Sequence, residues 1–272
     1  MRFLIWNLNF FMFLFYISDN EIISALKFQN ATDINLENIR YRKDSTITEN
    51  NSSKFGIVLN KSESKYTLTL DSILLKREEL RLFYQNSENK SFALDSVRNY
   101  LLNVLINKVL PYWYGTSWAM SGVTQIPQEG FVGCSYFVAN TLNAVGFNFD
   151  RVGVARASSR NIARTFQLSE NVVLLKGYTN EQVISYLKEN YKEGLYIVGL
   201  DYHVAYMLYS HNEVFIIHSG KQPSKVVIEF ADCSPGFYSN LHYIGEITSN
   251  DELIIKWLYN EYIPKIEIFE FS

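Results

Sequence analysis

Phe131-Val132-Gly133-Cys134-Ser135-Tyr136-Phe137-Val138 is the stretch on which the fold turns. An apolar helix begins at about Cys134 and runs to Gly146, a residue suited to the left-handed conformation that ends helices. Upstream, Tyr112-Trp113-Tyr114-Gly115-Thr116-Ser117-Trp118 is followed by Gly122, Thr124, Pro127 and Gly130. Glycines and a proline in this pattern make a loop that brings backbone close to a ligand. A thiol in the first turn of a helix meets unpaired amides and the positive end of the helix dipole, and both favour the thiolate. The amide of Cys134 is also placed to meet a developing oxyanion. Most free cysteines are small buried hydrophobes. Its place at a helix start behind a glycine-punctuated loop makes Cys134 the candidate nucleophile, whereas Cys233, before Ser234-Pro235-Gly236, reads as a loop residue.

A thiol nucleophile needs a base, most often histidine. The chain has four: His203, His211, His218 and His242. His203 lies in the apolar run Leu200–Leu208, read as part of one strand over Tyr196–Tyr209, and His218 ends the run Val214–His218. A short polar turn around Ser210–Asn212 joins them. A two- or four-residue hairpin loop pairs residue 209 with residue 214, which sets His218 opposite Ala205 and puts both imidazoles on one face as diagonal neighbours. A three-residue loop puts them on opposite faces. In the first register His203 serves as base and leaving-group acid, and His218 holds it in the right tautomer. His211 falls in the turn and is expected to be solvated; His242 begins a strand. A zinc site built on His203, His218 and a carboxylate is the weaker reading, because no His-x-x-x-His spacing accompanies them. No metal or other cofactor is expected.

Around this centre the predicted elements run helices first and strands after, an α+β order. Residues Tyr66–Leu70 alternate like a strand and Ile73–Phe83 suits a short helix. Leu94, Val97, Leu101, Leu105 and Val109 recur at helical spacing until Pro111 stops them. Further helices are predicted over Ser158–Leu168 and from Thr179, where Gln182 completes a capping box. Strands follow at Glu213–Ser219, Lys225–Phe230 and His242–Thr248, then a helix closed by Trp257 and a last alternating run, Lys265–Phe271.

Three segments are expected. Residues 1–25 open with Met1-Arg2 and an apolar, aromatic run from Phe3 to Ile17, which suits an export signal or N-terminal anchor and would provide any membrane contact. Residues 26–90 are polar, with a linker-like stretch from Lys43 to Lys54, and residues 91–272 hold the chemistry. Hydrophobic residues make up 47% of the 272, enough for a sizeable core, while a net charge of −3 gives no basic face for nucleic acid. Two cysteines are too few for a disulfide framework.

The constellation resembles the NlpC-type cell-wall cysteine peptidases, a papain-like group. An aromatic-x-aromatic-Gly stretch (Tyr112–Gly115), a Cys-Ser pair at a helix start (Cys134-Ser135) and histidines on successive strands (His203, His218) match that family's motif in order. The match spans roughly residues 94–248. It departs from the pattern at Gly133 and Tyr136, where the family usually has Asp and Gly, and at Thr116, where it has a second Gly. The resemblance implies a papain-like fold with helices packed on an antiparallel meander, a Cys134-His203-His218 triad, and Tyr112 holding the substrate backbone. Ser135 and Trp118 join it as candidate substrate contacts. It implies a hydrolase acting on a peptide or amide bond, with peptidoglycan stem peptides as the expected substrate, and the N-terminal apolar run adds the expectation that this hydrolase is exported. Two alternatives stand beside this: an amidase or acyltransferase acting on a lipid or small-molecule amide, and a silent binding module of the same fold.

Overall fold

The computed structural model describes residues 63–268. The expected N-terminal apolar segment and the Lys43–Lys54 linker lie outside the described residues, as does the end of the expected last strand. Helices α1 (Glu63–Asn86) and α2 (Lys90–Val104) come first, and a π turn (Leu105–Val109) carries α2 into the short α3 (Leu110–Trp113). The short strands β1 (Ser117–Trp118) and β2 (Phe131–Val132) frame the glycine loop, and α4 (Cys134–Ala144), α5 (Arg151–Ala155) and α6 (Ser159–Gln167) follow. Then come β3 (Val173–Lys176), α7 (Asn180–Asn190), β4 (Gly194–Gly199), β5 (Val204–Ser210), β6 (Glu213–Gly220), β7 (Lys225–Phe230), β8 (Leu241–Glu246) and α8 (Asp251–Leu258). The class is α+β.

The strands form one eight-stranded sheet in the order β2-β1-β7-β6-β5-β4-β8-β3. It is antiparallel except for the β1–β2 pair. Strands β4 to β7 are the expected meander, and the chain then crosses back to set β8 beside β4. One face carries α4 and α6. On the other, Val183 and Leu187 of α7 pack with Tyr196, Val198, Met207 and Ile216. Covered on both faces, β4 is buried at every position and reads as a continuous apolar run rather than an alternation.

That burial explains one error of the sequence reading. The apolar run over Tyr196–Tyr209 is two strands, β4 and β5, with a tight turn at residues 200–203 closed by the Leu200 amide bonding to the His203 carbonyl at 2.8 Å. His203 therefore precedes β5 instead of lying inside a strand. A second correction concerns Tyr66–Leu70, which is helical. The seven-residue spacing of buried Tyr66, Ile73 and Leu80 outweighs a five-residue alternation. A third is Pro111. It does not end the helical path but sits in the first turn of α3, where no helical N–H is required of it, after the π turn has shifted the register so that the Leu110 amide bonds to the Leu105 carbonyl. Residues 265–268 form no strand; the Ile266 amide is taken by Thr165 Oγ1 at 3.0 Å.

Helix α1 also moves the expected boundary at residue 90. Its Tyr66 hydroxyl accepts from Trp113 Nε1 at 3.0 Å, and its Arg77 donates to the Gly146 carbonyl at 2.8 Å, so residues 63–86 pack into the same body as α3 and α4. Among the described residues no helix is long and apolar enough to cross a membrane.

Two glycines set how closely α6 approaches the sheet. A Cβ on Gly199 would lie 2.5 Å from the Ser159 carbonyl oxygen, and one on Gly245 would lie 2.6 Å from that of Ala163. Both contacts are with backbone and cannot be relieved by a rotamer change. Gly199→Ala and Gly245→Ala should each cost about 1–3 kcal/mol in urea unfolding. Unfolding midpoints unchanged in both variants would rule out this backbone-to-backbone packing.

Candidate active site

Cys134 is held from three sides. Gly133 caps α4 with φ −79° and ψ 163°, and its amide bonds to the Gly122 carbonyl at 2.8 Å, closing the loop on itself. Ser219 Oγ of β6 donates to the Val132 carbonyl at 2.7 Å, tying the approach to Cys134 onto the sheet. Along α4, the Tyr206 hydroxyl of β5 bonds to Thr141 Oγ1 at 2.6 Å and to the Val138 carbonyl at 3.1 Å. The helix thus lies over β5 and β6 with its N-terminus at their end.

The half-buried Cys134 sulfur meets the amides of Val204, Ser135 and Cys134 itself. Burial raises the thiol pKa, and the three amides lower it by less, so the net shift is upward. This reverses the expectation from the helix start alone: desolvation outweighs the dipole. Val204 follows His203 directly. Among the described residues no hydrogen bond joins Cys134 to the His203 ring, and the two meet through this backbone step.

His203 Nε2 and His218 Nδ1 are 2.9 Å apart, with ring centroids at 5.0 Å. The hairpin has the register that permits this: Tyr209 pairs with Val214 across the two-residue turn His211-Asn212, whose φ values of 52° and 60° suit a type I′ turn. His203 is pushed down to about 3, first by burial and then by the neighbouring His218. The turn that carries it is braced by Asp201, whose carboxylate accepts from Ser239 Oγ and from the Asn240 amide, each at 2.7 Å. Burial acts to raise the Asp201 carboxyl, but these bonds, with help from the Leu241 amide, hold it below the usual range.

His218 is fully buried. A Cβ on Gly220 would lie 2.7 Å from its ring, and one on Gly236 only 2.3 Å from its Cε1. Its Nε2 is 3.4 Å from Glu229 Oε2, which also accepts from Ser234 Oγ at 2.7 Å. Sequence reasoning missed Glu229. The signal was a single carboxylate in the otherwise apolar run Val226–Phe230, but its relation to His218 depends on the β6–β7 register, in which His218 pairs with Val227.

The remaining candidates are distributed differently. Ser135 is half-exposed in the first turn of α4, and Trp118 is half-exposed in β1. Tyr112 is buried: its ring lies 5.0 Å from that of Tyr66 and its hydroxyl 3.3 Å from Thr69 Oγ1, so α1 covers it where a substrate contact was expected. His211 is exposed in the turn, and His242 is buried with Nε2 3.2 Å from the Phe237 carbonyl. Cys233 is exposed. Among the described residues no group of three or more His, Cys, Asp or Glu is gathered to hold a metal ion. A shallow depression of about 330 Å³ beside α7, lined by Tyr178, Glu181, Ser185 and Glu189 among others, contains none of the reactive side chains.

Comparison of the chain with protein-family models, with curated proteins and with solved structures gave no match.

Two outcomes follow from the geometry. Between pH 6.5 and about 3 the unfolded chain takes up a proton at His203 that the folded chain does not, so this group's contribution to stability is lost as pH falls through that window. His203→Gln should flatten the fall of urea-unfolding stability over that range; a slope equal to the parent's would show that His203 is not held neutral by the fold. Gly236→Ala needs no unusual φ, so its effect isolates the His218 cage. It should displace the ring and lower stability by about 1–3 kcal/mol. Unaltered stability together with unchanged His218 ring NMR signals would dismiss the cage.

Proposed function

We propose that the chain is a thiol hydrolase of papain-like, NlpC-like arrangement, exported, with Cys134 as nucleophile, His203 as base and His218 as the residue that orients it. The observation that carries this reading is the convergence at one end of β5 and β6. The Cys134 sulfur lies at the amide of Val204, and the preceding His203 is bonded to His218 at 2.9 Å. A nucleophile, a base and an orienting group in that sequence are the minimum for acyl transfer.

The steps follow from the protonation states. With the thiol raised and His203 lowered, the resting pair is a neutral thiol and a neutral imidazole. As a substrate carbonyl enters, the thiol proton passes to His203 and the sulfur attacks the carbonyl carbon. The amide of Cys134 is available to the oxyanion. Collapse of the tetrahedral intermediate expels the amine, which takes its proton from His203, and leaves a thioester on Cys134. Water then gives a proton to His203, attacks the thioester and releases the acid and the thiol. The likeness to cell-wall peptidases in the order of Cys134, His203 and His218 favours a peptide bond in a peptidoglycan stem as the target.

A second reading keeps the chemistry and changes the substrate. Met120 and Phe131 on the glycine loop are 86% and 56% exposed, and Tyr202, beside His203, is 99% exposed. The Met120 carbonyl lies 3.1 Å from the Cβ position of Gly133, which places this apolar loop directly against the approach to Cys134. Exposed apolar side chains on the loop before Cys134 and on the turn before β5 favour an acyl chain or other lipid amide, with the enzyme acting as amidase or acyltransferase.

Product analysis by mass spectrometry, with defined muropeptides and N-acyl amides offered in parallel, tests both. The first reading expects cleavage of the muropeptide peptide bond and the second expects release or transfer of the acyl group. Cys134→Ala should abolish either activity, and His203→Gln should slow it about 10²–10⁴-fold. Turnover by Cys134→Ala at the parent rate would refute both.

A further inference from the structure

The bond between His203 and His218 has two possible directions, and the chemistry works in only one of them. Glu229 decides between them. We propose that Glu229 is a positioning residue of this site: it holds His218 as the Nε2–H tautomer and thereby fixes Nδ1 of His203 as the nitrogen that receives the Cys134 proton. The inference rests on the thiol-hydrolase reading for its role, though not for its geometry.

An ionised carboxylate accepts hydrogen bonds and donates none. Glu229 keeps a route to solvent, with its side chain 24% exposed, and Ser234 Oγ donates to its Oε2 at 2.7 Å. His218 Nε2, 3.4 Å from the same oxygen, must carry the proton to make that contact favourable. A neutral imidazole has a single N–H, so His218 Nδ1 is then a lone pair. At 2.9 Å it accepts from His203 Nε2–H. His203 in turn has its lone pair on Nδ1. In the opposite direction His218 Nδ1–H would donate to His203 Nε2, the His203 proton would sit on Nδ1, and that nitrogen could accept nothing from the thiol.

The surroundings of His218 offer no competing proton donor from the neighbouring glycines. Gly220 and Gly236 close on the ring with backbone alone, and the polar partners of its two nitrogens are His203 from the β4–β5 turn and Glu229 from β7. The same arrangement serves the charged state. When the thiol proton reaches Nδ1, His203 becomes an imidazolium that donates through Nε2 to His218, with the Glu229 carboxylate beyond it to balance the charge. Only a proton moves, from Sγ to Nδ1.

The test uses the full chain labelled with ¹⁵N-histidine at neutral pH. The ring signals of the parent should show His218 protonated at Nε2 and His203 bare at Nδ1. Glu229→Leu, which removes the acceptor, should populate the other tautomer and lower kcat about 10–100-fold, with KM little changed. Glu229→Gln keeps an acceptor oxygen and should restore part of the loss. A parent spectrum with the His203 proton on Nδ1 would overturn the proposal, even if a variant fails to fold. So would a Glu229→Leu protein whose tautomers and kcat match the parent's. If Cys134 proves not to be the nucleophile, the hydrolase reading fails at that point, while the parent spectrum still decides the tautomer.

Discussion

The register between β5 and β6 is the constraint on which the rest of the site depends. Two residues with positive φ, His211 and Asn212, make a turn that pairs Tyr209 with Val214. From that pairing, side chains alternate in a fixed way. Tyr206 and Ile217 point toward α4, where the Tyr206 hydroxyl grips the helix that begins at Cys134. His218 points the other way, toward the layer that contains α7, and finds Glu229 of β7 beside it. A slip of one residue would exchange these faces. The helix would lose its anchor and His218 would lose both His203 and its carboxylate. The Cys134 sulfur reaches the Val204 amide, one residue beyond His203, at the end of the sheet where β5 begins.

Burial holds both Cys134 and His203 toward their neutral forms. Helix starts and backbone amides favour a thiolate, and three amides do reach the Cys134 sulfur. Burial wins over them, and it also strips the charge from His203. A neutral pair avoids the cost of an ion pair where burial has removed water. Under the proposed reaction it also makes the direction of the histidine bond important, because a neutral base must already have its lone pair aimed at the thiol. The close approach of Gly220 and Gly236 fixes where the His218 ring sits, not which of its nitrogens carries the proton.

Much of this was legible in the sequence wherever a local signal is complete in itself. The capping box of Thr179 and Gln182 forms as read, with the Thr179 amide 2.9 Å from Gln182 Oε1. Helix α4 begins at Cys134 as expected, and Gly146 takes a φ of 98° just beyond its end. The hairpin register was legible as a condition on loop length, and the two-residue loop meets it. What failed to show was set by distant contacts. Burial of β4 on both faces erased the alternation that would have revealed the turn before β5. The heptad contact of α1 was masked by five residues that alternate, and α1 in turn buries Tyr112. Glu229 is a carboxylate in a strand until the register of a third strand sets it against His218.

The most direct measurement is acid-quenched mass spectrometry of the protein with an activated peptide ester, a substrate that acylates faster than the thioester is hydrolysed. The acyl group should be found on Cys134 and be removed by hydroxylamine, and His203→Gln should slow its appearance at least about a hundredfold. Consumption of the ester with the acyl group on another residue, or acylation of Cys134 at the same rate without His203, would contradict the assignment of these two side chains as nucleophile and base.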